Sequence, residues 1–432
     1  MKQQEEGLKR RIGVIGLSAN VVNIIIGAGI FALPAIIASK MGASSIIAYA
    51  FCGILIALVM LCFAEAGSKV TNTGGPYTYI ETAFGNYAGF LGGIFAIGAA
   101  LFADAAVSNA LVNILATAVP FFENGYVRLS FLVLIFSGFV YVNIIGIKQG
   151  IGLVKFNTIA KLTPLLILVT IGWIGADMTN LKMDGFPEIK TIGETSLILF
   201  FAFQGAETGL VVGGEVLNPK RTIPRAIFIS ISVVIIMYLL IQSVSQGLLG
   251  DELPNFEAAP LAEAAKVAFG PIGFSLLFIG AVVSMFGFLS GSILNNPRIL
   301  YALSRDRVIP IKALSKIHKT FATPHIAIIC YGIIGFILAA TSSFKTLAVI
   351  ASSAMLLVYL GVALSVIKLR RSQKKHDTAF KIPGGFTVPV LSVIIILYFL
   401  SNISAKEMIG TTIFIGVLSL IFLIIKVASK RT

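Results

Sequence analysis

The feature that most constrains this chain is the recurrence of mainly apolar runs of about 18 residues or more, each closed by a short polar stretch. An α-helix rises about 1.5 Å per residue, so each run is long enough to cross roughly 30 Å of hydrocarbon. The runs fall near residues 12–39, 44–68, 86–119, 128–147, 151–176, 192–216, 225–249, 271–301, 323–341, 346–368, 386–402 and 407–427. They do not alternate polar and apolar at every second residue, which excludes the strands of a membrane barrel. Of the 432 residues, 57% are hydrophobic and 12% charged, against about 25% charged in a soluble domain. The sequence therefore predicts an all-α integral membrane protein with twelve transmembrane helices and little material for a soluble domain.

A net charge of +14 raises the question of a nucleic-acid partner, and the distribution of that charge answers it. With the N-terminus inside, about 25 of the 33 lysines and arginines fall in loops on one side, among them Lys69, Arg221, Arg225, Arg305, Lys312, Arg370 and Arg371. About 7 fall on the other, including Lys40, Arg128, Lys266 and Lys345. Positive loops stay cytoplasmic, so the excess is a topology signal and no nucleic acid is expected. It places both termini, with residues 1–11 as a polar N-terminal segment, on the cytoplasmic side of the cytoplasmic membrane. The apolar segment after residue 11 has no small-residue cleavage pattern, so a retained first helix is expected. Cys52, Cys62 and Cys330 sit inside apolar runs and His318, His325 and His376 near polar loops, without metal-ligand spacing. Neither a disulfide, a metal nor another cofactor is expected. Residues 260–269, next to an acidic loop, read as a short surface helix that acts as an outer gate or as a plain connector.

Two runs carry interruptions. The first holds Ile24, Ile25, Ile26, Gly27, Ala28, Gly29 near its middle, and the sixth holds Phe201, Ala202, Phe203, Gln204, Gly205, Ala206, Glu207, with Gly213 and Gly214 a turn later. Glycine weakens a helix where unpaired backbone is costly. The interruptions are five helices apart, and a repeat of five inserts in opposite orientation, so the two breaks are expected to face each other at the bilayer midplane. Amides starting the second half-helices suit a carboxylate, and carbonyls ending the first halves suit an ammonium group. Such a site complements an α-amino acid zwitterion. Ile24, Gly27, Ala28, Gly29, Phe201, Phe203, Gly205 and Glu207 are its candidate substrate-binding residues. Phe201 and Phe203 are candidate aromatic lids, with packing as the alternative.

Ionisable groups inside the spans are costly and tend to be functional. Lys161 is a candidate for proton coupling, or else an ammonium tethering the fifth helix to carbonyls of the first and eighth. Glu207 is a proton carrier, a contact for the substrate amine, or a structural tie. Asp104 is a further substrate-site candidate that would favour a cationic substrate or pair with Lys161. Glu65 and Glu215, near inner helix ends, read as inner-gate ion pairs with loop arginines. No nucleophile and base constellation suggests an enzyme.

Several stretches, taken in order, resemble the amino acid, polyamine and organocation permeases over nearly the whole chain. They are Gly27 Ala28 Gly29 Ile30 Phe31, Gly74 Gly75 Pro76 Tyr77 Thr78 Tyr79, Phe203 Gln204 Gly205 Ala206 Glu207, Asn218 Pro219 Lys220 Arg221 Thr222 Ile223 Pro224 Arg225 Ala226, and Arg298 Ile299 Leu300 Tyr301 Ala302 Leu303 Ser304 Arg305 Asp306. The resemblance implies a leucine-transporter fold: two inverted repeats of five helices, residues 12–176 and 192–368, plus two further helices in 386–427. It also implies that Phe201 stands where some members stack an aromatic gate on substrate. Lys161 matches a lysine that fills the place of a sodium ion in sodium-independent members, and helix eight, with Ser284 alone as a hydroxyl over residues 281–289, is a poor sodium ligand set. Asp104 is unusual for the family. The expected function is secondary transport of amino acids by alternating access, through proton symport or exchange, with protons and membrane lipid as the other partners. Rivals are a cationic amino acid or polyamine antiporter and, from another class, a non-transporting amino acid sensor.

Overall fold

A computed structural model describes residues 13–70, 75–146, 151–183, 185–209, 216–305, 309, 311–372 and 380–429. The expected N-terminal segment 1–11, Gly74, Gly213, Gly214, Glu215 and Asp306 lie outside the described residues. Within them the chain is helical, with no strand. Helices α1 (Val14–Ile25) and α2 (Ala28–Met41) are separated by two non-helical residues, and α3 (Ser45–Lys69) follows. A helix the sequence reading left as loop, α4 (Pro76–Phe84), precedes α5 (Asn86–Ala118). Then come α6 (Gly125–Ile145), α7 (Ile151–Ile171) and α8 (Ile189–Leu199), a 3-10 turn (Phe200–Phe203), and α9 (Ala206–Gly209). The remainder is α10 (Pro219–Leu249), α11 (Pro260–Arg305), α12 (His325–Thr341), α13 (Phe344–Ser372), α14 (Thr387–Ser401) and α15 (Ala405–Ser429).

Seven helical stretches are long and apolar enough to cross a membrane, and four shorter helices are also apolar. The chain is a multi-pass membrane protein. Its outward faces agree: Ile54, Phe156, Ile159, Phe228, Ile279, Ile333 and Ile394 are exposed apolar side chains, a surface that water would penalise and lipid accepts. Among its described side chains α15 is mostly exposed, and it touches the body through Phe414 on Phe95 and Phe422 on Phe90.

α10 packs on α1 and α3, and α3 on α8, while α5 packs against α13, α4, α11 and α12, and α7 lies against α11; α13 also packs on α3 and α8. Residues 260–269 form the first part of α11, set off by Gly270 at φ +69°, a left-handed conformation that only glycine adopts without strain. The expected short helix forms here and buries one face, with Leu261, Ala262, Ala264 and Ala265 inaccessible, while Lys266 is exposed. An apolar stripe at that spacing needs a covering surface, and the bundle supplies it.

Candidate substrate site at two helix interruptions

The first interruption is a turn rather than a bend. Ile26, at φ −71° and ψ 84°, lets the Gly27 N–H donate to the Ile25 carbonyl at 2.8 Å, an inverse γ-turn that ends α1. Valines and isoleucines at 21, 22 and 24–26 add little resistance, because β-branched side chains are weak helix formers. α2 then begins at Ala28 with no side-chain cap on its first turn, leaving N–H groups at its start for another acceptor.

The second interruption follows α8. The 3-10 turn Phe200–Phe203 runs into Gln204 in extended geometry and Gly205 at φ +105°. Here a side chain would be strained, which fixes glycine at 205. The Gln204 amide donates to Ser352 Oγ of α13 at 3.0 Å, tying the turn to that helix.

The two breaks meet. A Cβ on Gly29 would lie 2.6 Å from Ala202 Cα, and one on Gly205 would lie 3.1 Å from Ile24 Cγ2, so the missing side chains are what let the segments touch. Tyr238 of α10, fully buried, holds them: its hydroxyl lies 3.0 Å from the Ile25 carbonyl and 2.9 Å from the Ala202 carbonyl. It has one hydrogen and serves the two acceptors in turn. Sequence reasoning missed Tyr238. Its only signal was a hydroxyl in an apolar run, which requires a partner without naming it. Phe288 of α11, also unforeseen, approaches the place of a Gly27 side chain at 3.7 Å.

The candidate residues divide. Ile24, Gly27, Ala28, Gly29, Phe201, Gly205 and Glu207 lie on the segments that form the two breaks. Phe203 packs its ring on Tyr238 with centroids 4.9 Å apart, the packing alternative. Phe201 meets Phe344, at the start of α13, edge to face at 5.8 Å. Glu207 is buried; one carboxylate oxygen accepts from the Tyr359 hydroxyl and, at 3.2 Å, from the Gly205 N–H. It thus ties the second break to α13 and takes the Gly205 amide just before α9.

Lys161, 5% exposed on α7, donates to the Asn23 carbonyl in the last turn of α1, and Thr158 donates to Asn23 Oδ1 at 3.0 Å. Asp104 does not pair with it. Tyr331 of α12 donates to Asp104 Oδ2 at 2.7 Å, and Asn296 of α11 donates to that hydroxyl at 3.2 Å. Asp104 is therefore held in a polar knot of α5, α11 and α12, and Oδ1 has no partner among the described residues. Glu65, buried at the end of α3, does pair with an arginine, though one on α13 and not in a loop: it accepts from Lys69 Nζ at 2.8 Å, from Arg370 Nε at 2.7 Å and from the Ile382 N–H at 2.9 Å.

A family model for amino acid permeases matches residues 12–428. The chain belongs to the amino acid permease family. Among curated proteins it is 29% identical to the serine/threonine exchanger SteT of Bacillus subtilis, covering 91% of each chain. It is 25% identical to the branched-chain amino acid permease BcaP of the same organism, over 92% of this chain and 89% of that one. It is 28% identical to the human b(0,+)-type amino acid transporter 1, over 90% and 82%. This permease is thus placed in the amino acid, polyamine and organocation superfamily, among transporters and not enzymes.

Proposed function

We propose that this permease carries α-amino acids across the cytoplasmic membrane by alternating access, binding substrate where its two interrupted helices meet. The observation that carries this reading is the Tyr238 hydroxyl within hydrogen-bonding distance of a carbonyl from each interruption. It means that the breaks are buried, adjacent and held in register, as a site made from main-chain dipoles requires. Uncapped amides at the start of α2 would receive the carboxylate, and carbonyls at the end of α1 the ammonium. The relatives' names, a serine/threonine exchanger and a branched-chain amino acid permease, agree with a neutral zwitterion.

In this reading the membrane-spanning helices number twelve, arranged as two inverted fives plus two, with both termini cytoplasmic. Alternating access then moves the helices that carry the breaks relative to the rest of the bundle. Lys161, on the Asn23 carbonyl beside the break, is the coupling residue: neutralising or moving it changes the end of α1. The cationic-substrate rival loses support, because the Asp104 carboxylate is engaged by Tyr331 and that of Glu207 by Tyr359 and Gly205. Liposome uptake of a panel of labelled amino acids, with and without a pH gradient, tests the reading on wild type and Lys161→Ala. Saturable uptake of neutral amino acids is expected, with any gradient dependence lost in the variant. Uptake that ignores pH in both would remove proton coupling and leave exchange.

A further inference from the structure

A cavity of about 320 Å³ is lined in part by Phe344, whose ring meets that of Phe201. Ala32 and Ile36 of α2 line it, four and eight residues past the start of that helix, or roughly 6 and 12 Å along it. The opposite walls are Asn113 of α5, Glu257 ahead of α11, and Ser343, Phe344 and Lys345 at the start of α13. The volume is ample for a free amino acid, and the lining mixes apolar side chains with Asn113, Glu257, Ser343 and Lys345.

Lys345 Nζ donates to Glu257 Oε1 at 2.7 Å, with both side chains about half exposed at 46% and 47%. The two charges have distinct surroundings. Lys345 sits in the first turn of α13, whose Ser343 hydroxyl accepts from the Thr346 N–H at 3.3 Å, so the lysine adds to the positive end of a long helix. Glu257 lies on an acidic segment with Asp251 and Glu252 before it and Glu263 after it. Asn113 accepts Arg128 Nη1 on its oxygen at 2.7 Å, which leaves the amide hydrogens to donate.

We propose that this cavity is a reception site for the zwitterion, in which the substrate carboxylate takes Lys345 and the Asn113 amide while its ammonium takes Glu257. It rests on the amino acid transport reading above and on the orientation that puts this end outside. A half-exposed ion pair is weak, so an incoming zwitterion exchanges one pair for two of equal kind at little cost. A ligand with one charge leaves the other residue without a partner. The pair therefore favours zwitterions before they reach the breaks, and acts on arrival more than on turnover, as charges at a rim do.

The test is initial-rate uptake in liposomes by wild type, Lys345→Met, Glu257→Gln and the exchanged pair E257K/K345E. Lys190→Met, which removes an ion pair outside the cavity (Lys190 to Glu194, 3.9 Å), is the control. The single variants are expected to raise KM about two- to fivefold at unchanged kcat. They should also discriminate less against the decarboxylated amine of the same substrate, while the control stays at wild type. The exchanged pair restores the ion pair but inverts its polarity beside α13, so its KM is expected to stay raised. Full restoration by the exchanged pair would make the contact a plain latch and overturn the proposal, as would wild-type KM in the single variants. Wild-type protein with no saturable amino acid uptake would instead sink the transport reading on which this one stands.

Discussion

Tyr238→Phe removes one oxygen from the centre of the permease and little else. The ring keeps its contacts with Phe203 at 4.9 Å and Tyr49 at 6.5 Å, so packing is preserved. What is lost is the donor shared by the Ile25 and Ala202 carbonyls. Because a single hydrogen serves both, the cost is that of about one buried acceptor left unpaired, ~1–3 kcal/mol. If the relative position of the breaks sets substrate affinity, that energy becomes a roughly 5- to 150-fold loss of apparent affinity. Equilibrium binding of a labelled amino acid to purified protein, with thermal unfolding beside it, reads both effects. Binding within twofold of wild type at unchanged stability would refute the reasoning, since the hydroxyl would then hold nothing together.

Other substitutions probe neighbouring parts of the structure. Gly29→Ala puts a methyl group within 2.8 Å of Ala202 Cβ and should cost ~1–3 kcal/mol and most of the uptake; an active variant of normal stability would show that α2 can move away. Arg370→Met strips the buried Glu65 carboxylate of its guanidinium but leaves Lys69 and the Ile382 N–H, and should destabilise by ~1–3 kcal/mol in denaturant titration, with Glu65→Gln added to it recovering part of the loss. Gln242, 1% exposed on α10, has neither amide atom bonded among the described residues, so Gln242→Leu should raise the thermal midpoint; a lower midpoint would mean that the amide has a bound partner.

The helices were legible because hydrocarbon imposes length and composition on whatever crosses it, and boundaries such as 44–68 against Ser45–Lys69 agree closely. The two breaks were legible for a related reason: glycines at 27, 29 and 205 amid apolar residues have few other uses at that depth. Partners were not legible. Tyr238, Tyr331 and Tyr359 look alike in sequence, each a hydroxyl in a run of aliphatics, and only tertiary packing assigns them to two carbonyls, to Asp104 and to Glu207. Asp104 shows the same limit, since its position in α5 says that it is costly and not which helix compensates it. The helix at residues 260–269 was legible, while the packing of its Leu261, Ala262, Ala264 and Ala265 face was not, because that apolar stripe is short.

The most direct measurement of the central claim is the affinity of purified permease for one transported amino acid, its methyl ester and its N-acetyl derivative, compared under identical conditions. Main-chain groups that hold both ends of a zwitterion predict that each blocked form binds at least tenfold more weakly than the parent, for about 1.4 kcal/mol or more per lost end. An ester or an N-acetyl derivative that binds as well as the parent would show that one end is not held at the breaks, and would contradict the account.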